Sequence, residues 1–237
     1  MHLHSVVHSG SVEVKHNRSE PAELFYHFFV CRLFQTLIEI MAVLLFLVLA
    51  SVTMIASAQD FILEGHRRTD WGVWGGMETC SPGAYVYGFR LKVHSDQGFF
   101  GDDSALNGIE LLCINPTAKR PARNASMTQF TTISSLMGHH GSFTGLLECP
   151  DPGFAVGFEL RSEEDQGFST DDTAANNLKL YCSGLSVLEG AGRDWGDWTG
   201  AITCPRGLRI CGIQTQVEGP SDSDDTTLNN VNMGCCA

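Results

Sequence analysis

Hydrophobic and polar positions alternate in short runs through most of the chain. Ala84 to Val93 reads AYVYGFRLKV and alternates about Gly88, and Phe154 to Leu160 does the same about Gly157. Ile109 and Leu111, then Leu178 and Leu180, alternate into a following cysteine. A period of two marks a strand with one buried face, and no helical period appears after residue 59. Earlier in the chain the pattern changes. Met41 to Ile55, MAVLLFLVLASVTMI, is almost wholly apolar. It is shorter than the roughly 20 apolar residues of a membrane span. It runs into Ala56-Ser57-Ala58, a small-residue cleavage pattern. A signal peptide over 41–58 is therefore predicted, with a mature chain from Gln59 that is secreted and has no stable membrane insertion after cleavage. The alternative is a retained signal-anchor flanked by Arg32. Residues 1–40 are His-rich and patternless, an extension of no evident role that carries a sequon at Asn17-Arg18-Ser19.

The alternating segments repeat. Cys80 and Cys113 are 33 residues apart, Cys149 and Cys182 are 33 apart, and Cys204 and Cys235 are 31 apart. Ahead of the first cysteine of each pair stand Asp70-Trp71-Gly72-Val73-Trp74, His139-His140-Gly141-Ser142-Phe143 and Asp194-Trp195-Gly196-Asp197-Trp198. Gly76, Gly145 and Gly200 fall four positions before that cysteine, and Gly88, Gly157 and Gly212 eight after it. Asp102-Asp103, Asp171-Asp172 and Asp224-Asp225 precede the second cysteine, followed by Asn107, Asn176 and Asn229. Three repeats follow, at about 70–115, 139–183 and 194–237. Each Asp-Asp-to-Asn segment reads as a turn opening a strand, where Asp and Asn bond their own backbone. Each repeat is then one small sheet that cannot bury its apolar face alone. Packing three of them about a pseudo-threefold axis gives one all-β domain over 59–237. The longest linker, Asn115 to Ser134, holds two prolines, a basic run and the sequon Asn124-Ala125-Ser126, and reads as a surface loop carrying a glycan on Asn124.

Charge and cysteine content narrow the function. With 15 Lys and Arg against 27 Asp and Glu, the net charge is -12. Nucleic-acid binding needs basic stripes to neutralise phosphates, so no nucleic-acid partner is expected; a basic secreted protein suits the charge better. Of nine cysteines, Cys31 precedes the cleavage site, leaving eight. An even number behind a signal peptide points to disulfides. No Cys-x-x-Cys pair is present, which disfavours zinc. No phosphate loop, dinucleotide fingerprint or serine nucleophile elbow appears, and no cofactor is expected.

Asp-Trp-Gly-x-Trp, the strands about Gly88 and Gly157, Asp-Gln-Gly-Phe at Asp96–Phe99 and Asp165–Phe168, and Asp-Asp-x-Ala-x-Asn together resemble the vitelline membrane outer layer protein I family. The resemblance covers about residues 60–237 and departs from the pattern at His139-His140. It implies a β-prism of three Greek-key sheets, a secreted location and several disulfides. Repeat symmetry suggests Cys80–Cys113 and Cys149–Cys182, each pinning a strand to the returning strand of its own repeat. In the third repeat it favours Cys204–Cys235 with Cys211–Cys236, although Cys235 and Cys236 can exchange roles. Each loop closed contributes on the order of 3 kcal/mol.

Ligand-binding candidates are Asp102, Asp103, Asp171, Asp172, Asp224 and Asp225, with Trp71 and Trp195. The tryptophans can stack on sugar rings, but such large side chains more often pack cores and repeat junctions. The paired aspartates resemble glycosidase carboxylates, yet their recurrence in every repeat favours a turn requirement. Glu163-Glu164-Asp165 reads as a solvated acidic face. Asp222-x-Asp224-Asp225 offers oxygens to calcium without the rest of an EF-hand loop, and His139-His140 reads as a surface turn. The sequence thus predicts an extracellular structural or binding protein of an egg outer layer, mucosal film or matrix that contacts glycans or basic secreted proteins. The alternative is an enzyme acting on N-acetylglucosamine oligosaccharides by transfer or hydrolysis.

Overall fold

The computed structural model describes residues 29–30, 32–45, 61–95, 104–165, 173–219 and 226–237. It divides into two compact units, Met1–Ser57 and Ala58–Ala237. In the first, residues 29–30 and 32–45 are helical, so the helix runs through Met41. No helix among the described residues is long and apolar enough to cross a membrane.

The second unit is all-β. Its strands are β1 (Phe61–Glu64), β2 (Val73–Trp74), β3 (Glu78–Thr79), β4 (Tyr85–Val93), β5 (Leu106–Ile114), β6 (Thr131–Ile133), β7 (Ser142–Phe143), β8 (Leu147–Glu148), β9 (Ala155–Ser162), β10 (Ala175–Cys182), β11 (Val187–Glu189), β12 (Asp197–Trp198), β13 (Ile202–Thr203), β14 (Arg209–Val217) and β15 (Leu228–Cys236). They form three antiparallel sheets, each around one long hairpin: β4–β5, β9–β10 or β14–β15. The orders are β6-β5-β4-β7, β11-β10-β9-β12 and β1-β15-β14-β2, with β8, β13 and β3 also paired to β4, β9 and β14. In the first two sheets three strands run consecutively and a fourth returns beside the first, which is a Greek key; the third has the same spatial order with β1 and β2 in the outer places. The whole is a β-prism.

The sheets do not coincide with the sequence repeats. Each repeat supplies the long hairpin of one sheet, but its leading short strands dock on the long strand of the preceding repeat: β7 and β8 on β4, β12 and β13 on β9. The third sheet is completed from the other end of the unit, because β1, β2 and β3 pair with β15 and β14. The expectation of one sheet per repeat is corrected accordingly. A long hairpin has two edges: β6, β11 or β1 pairs along one, and the short strands of the neighbouring repeat pair along the other, so the long strands are not the edges of their sheets.

The inward faces of the hairpins supply the core. Phe89, Leu91, Ile109 and Leu111 meet Phe158, Leu160, Leu178, Leu180, Ile213, Val231 and Met233, all at 0–1% exposure. Burying each such side chain stabilises the fold by about 1.5–3 kcal/mol. Gly88 and Gly157 sit where the short strands press close: a Cβ would lie 2.4 Å from the Leu147 carbonyl and 2.6 Å from that of Ile202.

Four disulfides are present, Cys80–Cys113, Cys149–Cys182, Cys204–Cys235 and Cys211–Cys236. The first three do not tie a strand to its own return strand. Cys80 follows β3 of the third sheet, and its N–H donates to the Cys211 carbonyl, whereas Cys113 lies on β5 of the first. Cys149 and Cys204 follow β8 and β13 in the same way, while Cys182 and Cys235 lie on β10 and β15. Each of these bridges therefore staples two neighbouring sheets. Cys211–Cys236 is different, joining β14 to β15 within one sheet beside a register shift.

At one end of the prism the starts of the three long hairpins converge. Tyr85 and Phe154 meet edge to face at 5.9 Å, and the Arg209 guanidinium lies 4.8 Å and 5.0 Å from their rings. The ends of β4, β9 and β14 and the starts of β5, β10 and β15 consequently lie at the opposite end.

Candidate functional site

The hairpin mouths form three corners built on one plan. The residue after each long strand, His94, Glu163 or Glu218, donates its N–H to the carbonyl of Ala105, Ala174 or Thr227. Those three acceptors hold positive φ values of 34°, 40° and 56°, unusual for residues with a Cβ. Beside each turn a buried asparagine holds the backbone. Asn107 donates to the Ser104 carbonyl at 3.1 Å and to its hydroxyl at 3.0 Å. Asn176 donates to the Thr173 hydroxyl at 2.9 Å, and Asn229 to that of Thr226 at 2.7 Å. The same hydroxyls bond the residue after the long strand: Thr173 and Thr226 donate to Glu163 and Glu218, and Ser104 lies 3.2 Å from His94 Nδ1. Each corner thus carries a chain of three side chains, Glu–Thr–Asn twice and His–Ser–Asn once.

The motif loop of the next repeat seals each corner. Trp71 N–H and the Thr69 hydroxyl donate to Asn229 Oδ1, and His140 N–H donates to Asn107 Oδ1. At the remaining corner Arg193 N–H donates instead to the Asn176 main-chain carbonyl, and Asn176 Oδ1 is buried without a partner among the described residues. Gly72, Gly141 and Gly196 make the approach possible. All three have positive φ, and a Cβ would fall 2.3–2.4 Å from the backbone of Val217, Val93 or Ser162. Long side chains on β4, β9 and β14 clamp the loops from below: Lys92 donates to the Gly138 carbonyl, Arg161 to that of Gly196, and Gln216 to that of Gly72. The corners also touch. Arg68 pairs with Glu164 at 2.5 Å, and a Cβ on Gly138 would overlap the Thr227 methyl group.

The aromatic groups sit on the outside of this frame. Trp71, Trp74, Trp195 and Trp198 are half-buried and outside both apolar clusters, so the core-packing expectation is corrected. Trp71 precedes its strand and only Trp74 lies in β2. Cations cover three of the rings: Arg67 over Trp74 at 5.0 Å, Arg193 over Trp195 at 5.0 Å, and Lys179 over Trp198 at 3.7 Å. At the third corner two imidazoles stack instead, His94 on His140 at 5.1 Å and 27°. On the outer face of β10 the Tyr181 hydroxyl donates to Glu159, and burial together with that carboxylate pushes its pKa up to about 12.

Asp102, Asp103, Asp171, Asp172, Asp224 and Asp225 lie outside the described residues, as does Asp222. The residues that flank those stretches are the corners themselves. Trp71 and Trp195 are brought to two corners, and His139 and His140 lie exposed at the third. Asn124 is exposed in a turn. Glu163, read as part of a solvated face, is instead half-buried and bonded to Thr173 at its corner. Sequence reasoning passed over His94, Glu163 and Glu218 as a set, although each falls six residues after the glycine of its long strand. Among the described residues no group of three or more His, Cys, Asp or Glu is placed to hold a metal ion. What the corners offer is half-buried aromatic faces beside hydrogen-bonding groups, the composition of sites that grip polar organic ligands.

The family model of vitelline membrane outer layer protein I matches residues 61–237, the span that contains all three corners. The chain belongs to the vitelline membrane outer layer protein I family. A vitelline membrane outer layer protein 1 homolog from Mus musculus is 40% identical over 169 residues, covering 70% of this chain and 79% of that one. The Homo sapiens homolog is 39% identical over 168 residues, covering 70% and 78%. Among solved structures the Calystegia sepium agglutinin is similar, with a TM-score of 0.47, 11% identity and coverage of 74% of this chain and 95% of that one. Residues 1–60 lie outside the family match.

Proposed function

We propose that this member of the vitelline membrane outer layer protein I family is secreted, with Gln59 the first mature residue, and that it acts as a non-catalytic structural and binding element of an extracellular coat or film. The observation that carries the reading is the family match over the whole disulfide-stapled prism. Disulfides persist in oxidising compartments, and bridges between sheets suit a protein that works outside the cell. Glycans are the proposed ligands at the corner end, with Trp71 and Trp195 offering ring faces and the paired aspartates Asp102-Asp103, Asp171-Asp172 and Asp224-Asp225 offering acceptors. Basic secreted proteins are the proposed partners of its acidic surface, and Asn124 the proposed glycosylation site.

Expression of the full chain in secreting animal cells tests the location: mass spectrometry of the medium is expected to find a product beginning at Gln59 and heavier by a glycan at Asn124. Calorimetric titration of that product with N-acetylglucosamine oligomers tests the ligand. Heat without change of oligomer length supports a binding module. Shortened or lengthened oligomers reveal an enzyme, and no heat removes this sugar class.

A further inference from the structure

The end of the prism opposite the corners has a different chemistry. Linker residues 115–130 lie there, and they are not a free surface loop. Phe130 is buried with Tyr85, Tyr87 and Phe154. Arg120, from the basic run, donates to the carbonyls of Cys149 and Gly153 at 2.5 Å, stacks over Tyr87 at 4.7 Å and pairs with Asp151 at 3.4 Å. It thereby locks the run in place, leaving Lys119 and Arg123 exposed on either side. Arg209 approaches the same Phe154 ring at 5.0 Å from β14, with exposed Arg206 in the turn before it.

Among the described residues Lys119, Arg123, Arg206 and Arg209 have no carboxylate within ion-pair distance. They stand together at one end of a chain with 27 acidic residues and a net charge of -12. Among the described residues the acids near this end include Asp151, already paired with Arg120, and Glu148, which acts on Tyr87; Ala237 also lies here, its main-chain oxygen accepting from the Tyr85 hydroxyl. Arg209 rests against two rings, Tyr85 and Phe154. Such stacking orients a planar guanidinium and leaves its N–H edge for a fork-shaped anion such as sulfate or carboxylate. Unpaired cations grouped on a rigid end raise the local potential even in an acidic protein.

We infer that this end is a second interaction surface that binds a sulfated glycan chain, with Arg209 as its oriented contact and Lys119, Arg123 and Arg206 as flanking cations. The choice of a glycan over other polyanions rests on the extracellular reading above; the surface itself does not. The test is titration of the full secreted chain with a size-fractionated chondroitin sulfate at low and at physiological salt. Binding is expected, weakened by salt. Each flanking cation removed is expected to weaken it about fivefold, so K119Q/R123Q/R206Q loses about a hundredfold. Because these three side chains are exposed, that variant keeps its fold, which near-ultraviolet circular dichroism verifies. Arg209→Lys keeps the charge and is expected to restore only part of the affinity lost in Arg209→Gln. W71A/W195A, at the far end, is expected to bind the sulfated chain as the unaltered protein does.

No binding at low salt, or full binding by the triple variant, overturns the surface. Equal binding of single-stranded DNA or phosphatidylserine vesicles, with the same response to the triple variant, overturns the glycan assignment. Neutral N-acetylglucosamine oligomers report on the corner end, so their failure to bind leaves this result standing.

Discussion

The corner at the mouth of β4–β5 shares its backbone with the other two and differs from them in most side chains that face outward. All three keep the glycine of the motif loop, the left-handed turn residue and the buried asparagine. Two complete the frame with Glu, Thr and a neighbouring Trp; the third has His94, Ser104 and His140. The repeated groups are therefore those that the chain path demands. The varying groups satisfy a looser condition, one hydrogen-bond partner for the hydroxyl and one ring beside it, which carboxylate with indole and imidazole with imidazole both meet. Specific recognition in this prism has room to differ from corner to corner without altering the fold.

The shared part should yield the largest effects. Gly72→Ala, Gly141→Ala and Gly196→Ala each place a Cβ within 2.4 Å of backbone and at positive φ. Each is expected to destabilise by about 3 kcal/mol or more, similarly at all three corners, in chemical denaturation. A tolerant Gly141 would mean that the histidine corner has a frame of its own. The asparagines come next and should separate the corners. Asn229→Ala removes a side chain whose oxygen and nitrogen are both paired, and Asn107→Ala nearly the same; losses of about 3 kcal/mol are expected. Asn176→Ala also deletes a buried oxygen that has no partner among the described residues, so its loss should be smaller by about 1 kcal/mol. Equal losses would show that this oxygen is satisfied in solution.

How much of this was readable beforehand follows from where each signal sits. Long strands with alternating faces, and motif residues at constant offsets from cysteines, made the repeats, the all-β class and the turn role of Asn107, Asn176 and Asn229 legible. The exchange of short strands between repeats was not, because β2, β7 and β12 are two residues long and a period of two needs more. For the same reason the bridges looked internal to a sheet, whereas three of the four staple neighbouring sheets. The linker lies largely at the surface, as its prolines and basic residues suggest; what composition did not mark are its anchors, Arg120 and Phe130. The three-member chains were hidden because the position after the strand changes identity, His in one repeat and Glu in two.

Alkali separates the ends rather than the corners. Tyr87, at 1% exposure, has its pKa pushed up to about 12, chiefly by burial and then by Glu148, with Arg120 opposing. Its neutral form is favoured in the folded state, so the unfolded chain ionises first. The stability this holds is complete below about pH 10 and is lost as the pH rises through about 12, a decline of about 2 kcal/mol. Denaturation midpoints across that range are expected to fall in parallel with tyrosinate absorbance. In Tyr87→Phe the decline should shrink, leaving the lesser part from Tyr181. The three corner asparagine variants should all keep the full decline, since none touches that end. A corner variant that abolishes it would show the two ends to be energetically one.

The carboxylates of the two acidic corners should matter less than their asparagines. Glu218→Gln and Glu163→Gln replace a charge-assisted hydrogen bond from threonine by a neutral one, a loss of about 1 kcal/mol each. His94→Gln keeps a hydrogen-bonding group opposite Ser104 and is expected to lose about half as much. Reversal of that order would make the histidine corner the tighter of the two designs.

The smallest effect concerns the rings themselves. Trp195 stacks against Arg193, and the position equivalent to Arg193 is Thr69 before Trp71 and Gly138 before His140. A cation over an indole at a partly exposed site contributes about 0.5–1 kcal/mol. A double-mutant cycle of Arg193→Gln with Trp195→His should recover a coupling of that size. The parallel cycle at Thr69→Ser with Trp71→His keeps the hydroxyl that bonds Asn229, has no cation to remove and should give none. If both cycles show the same coupling, the ring is held by the loop backbone common to the corners, and Trp195 is as free as Trp71 to present its face to a ligand. If only the Arg193 cycle does, that face is partly spent on the arginine, and Trp71 offers the more open of the two platforms.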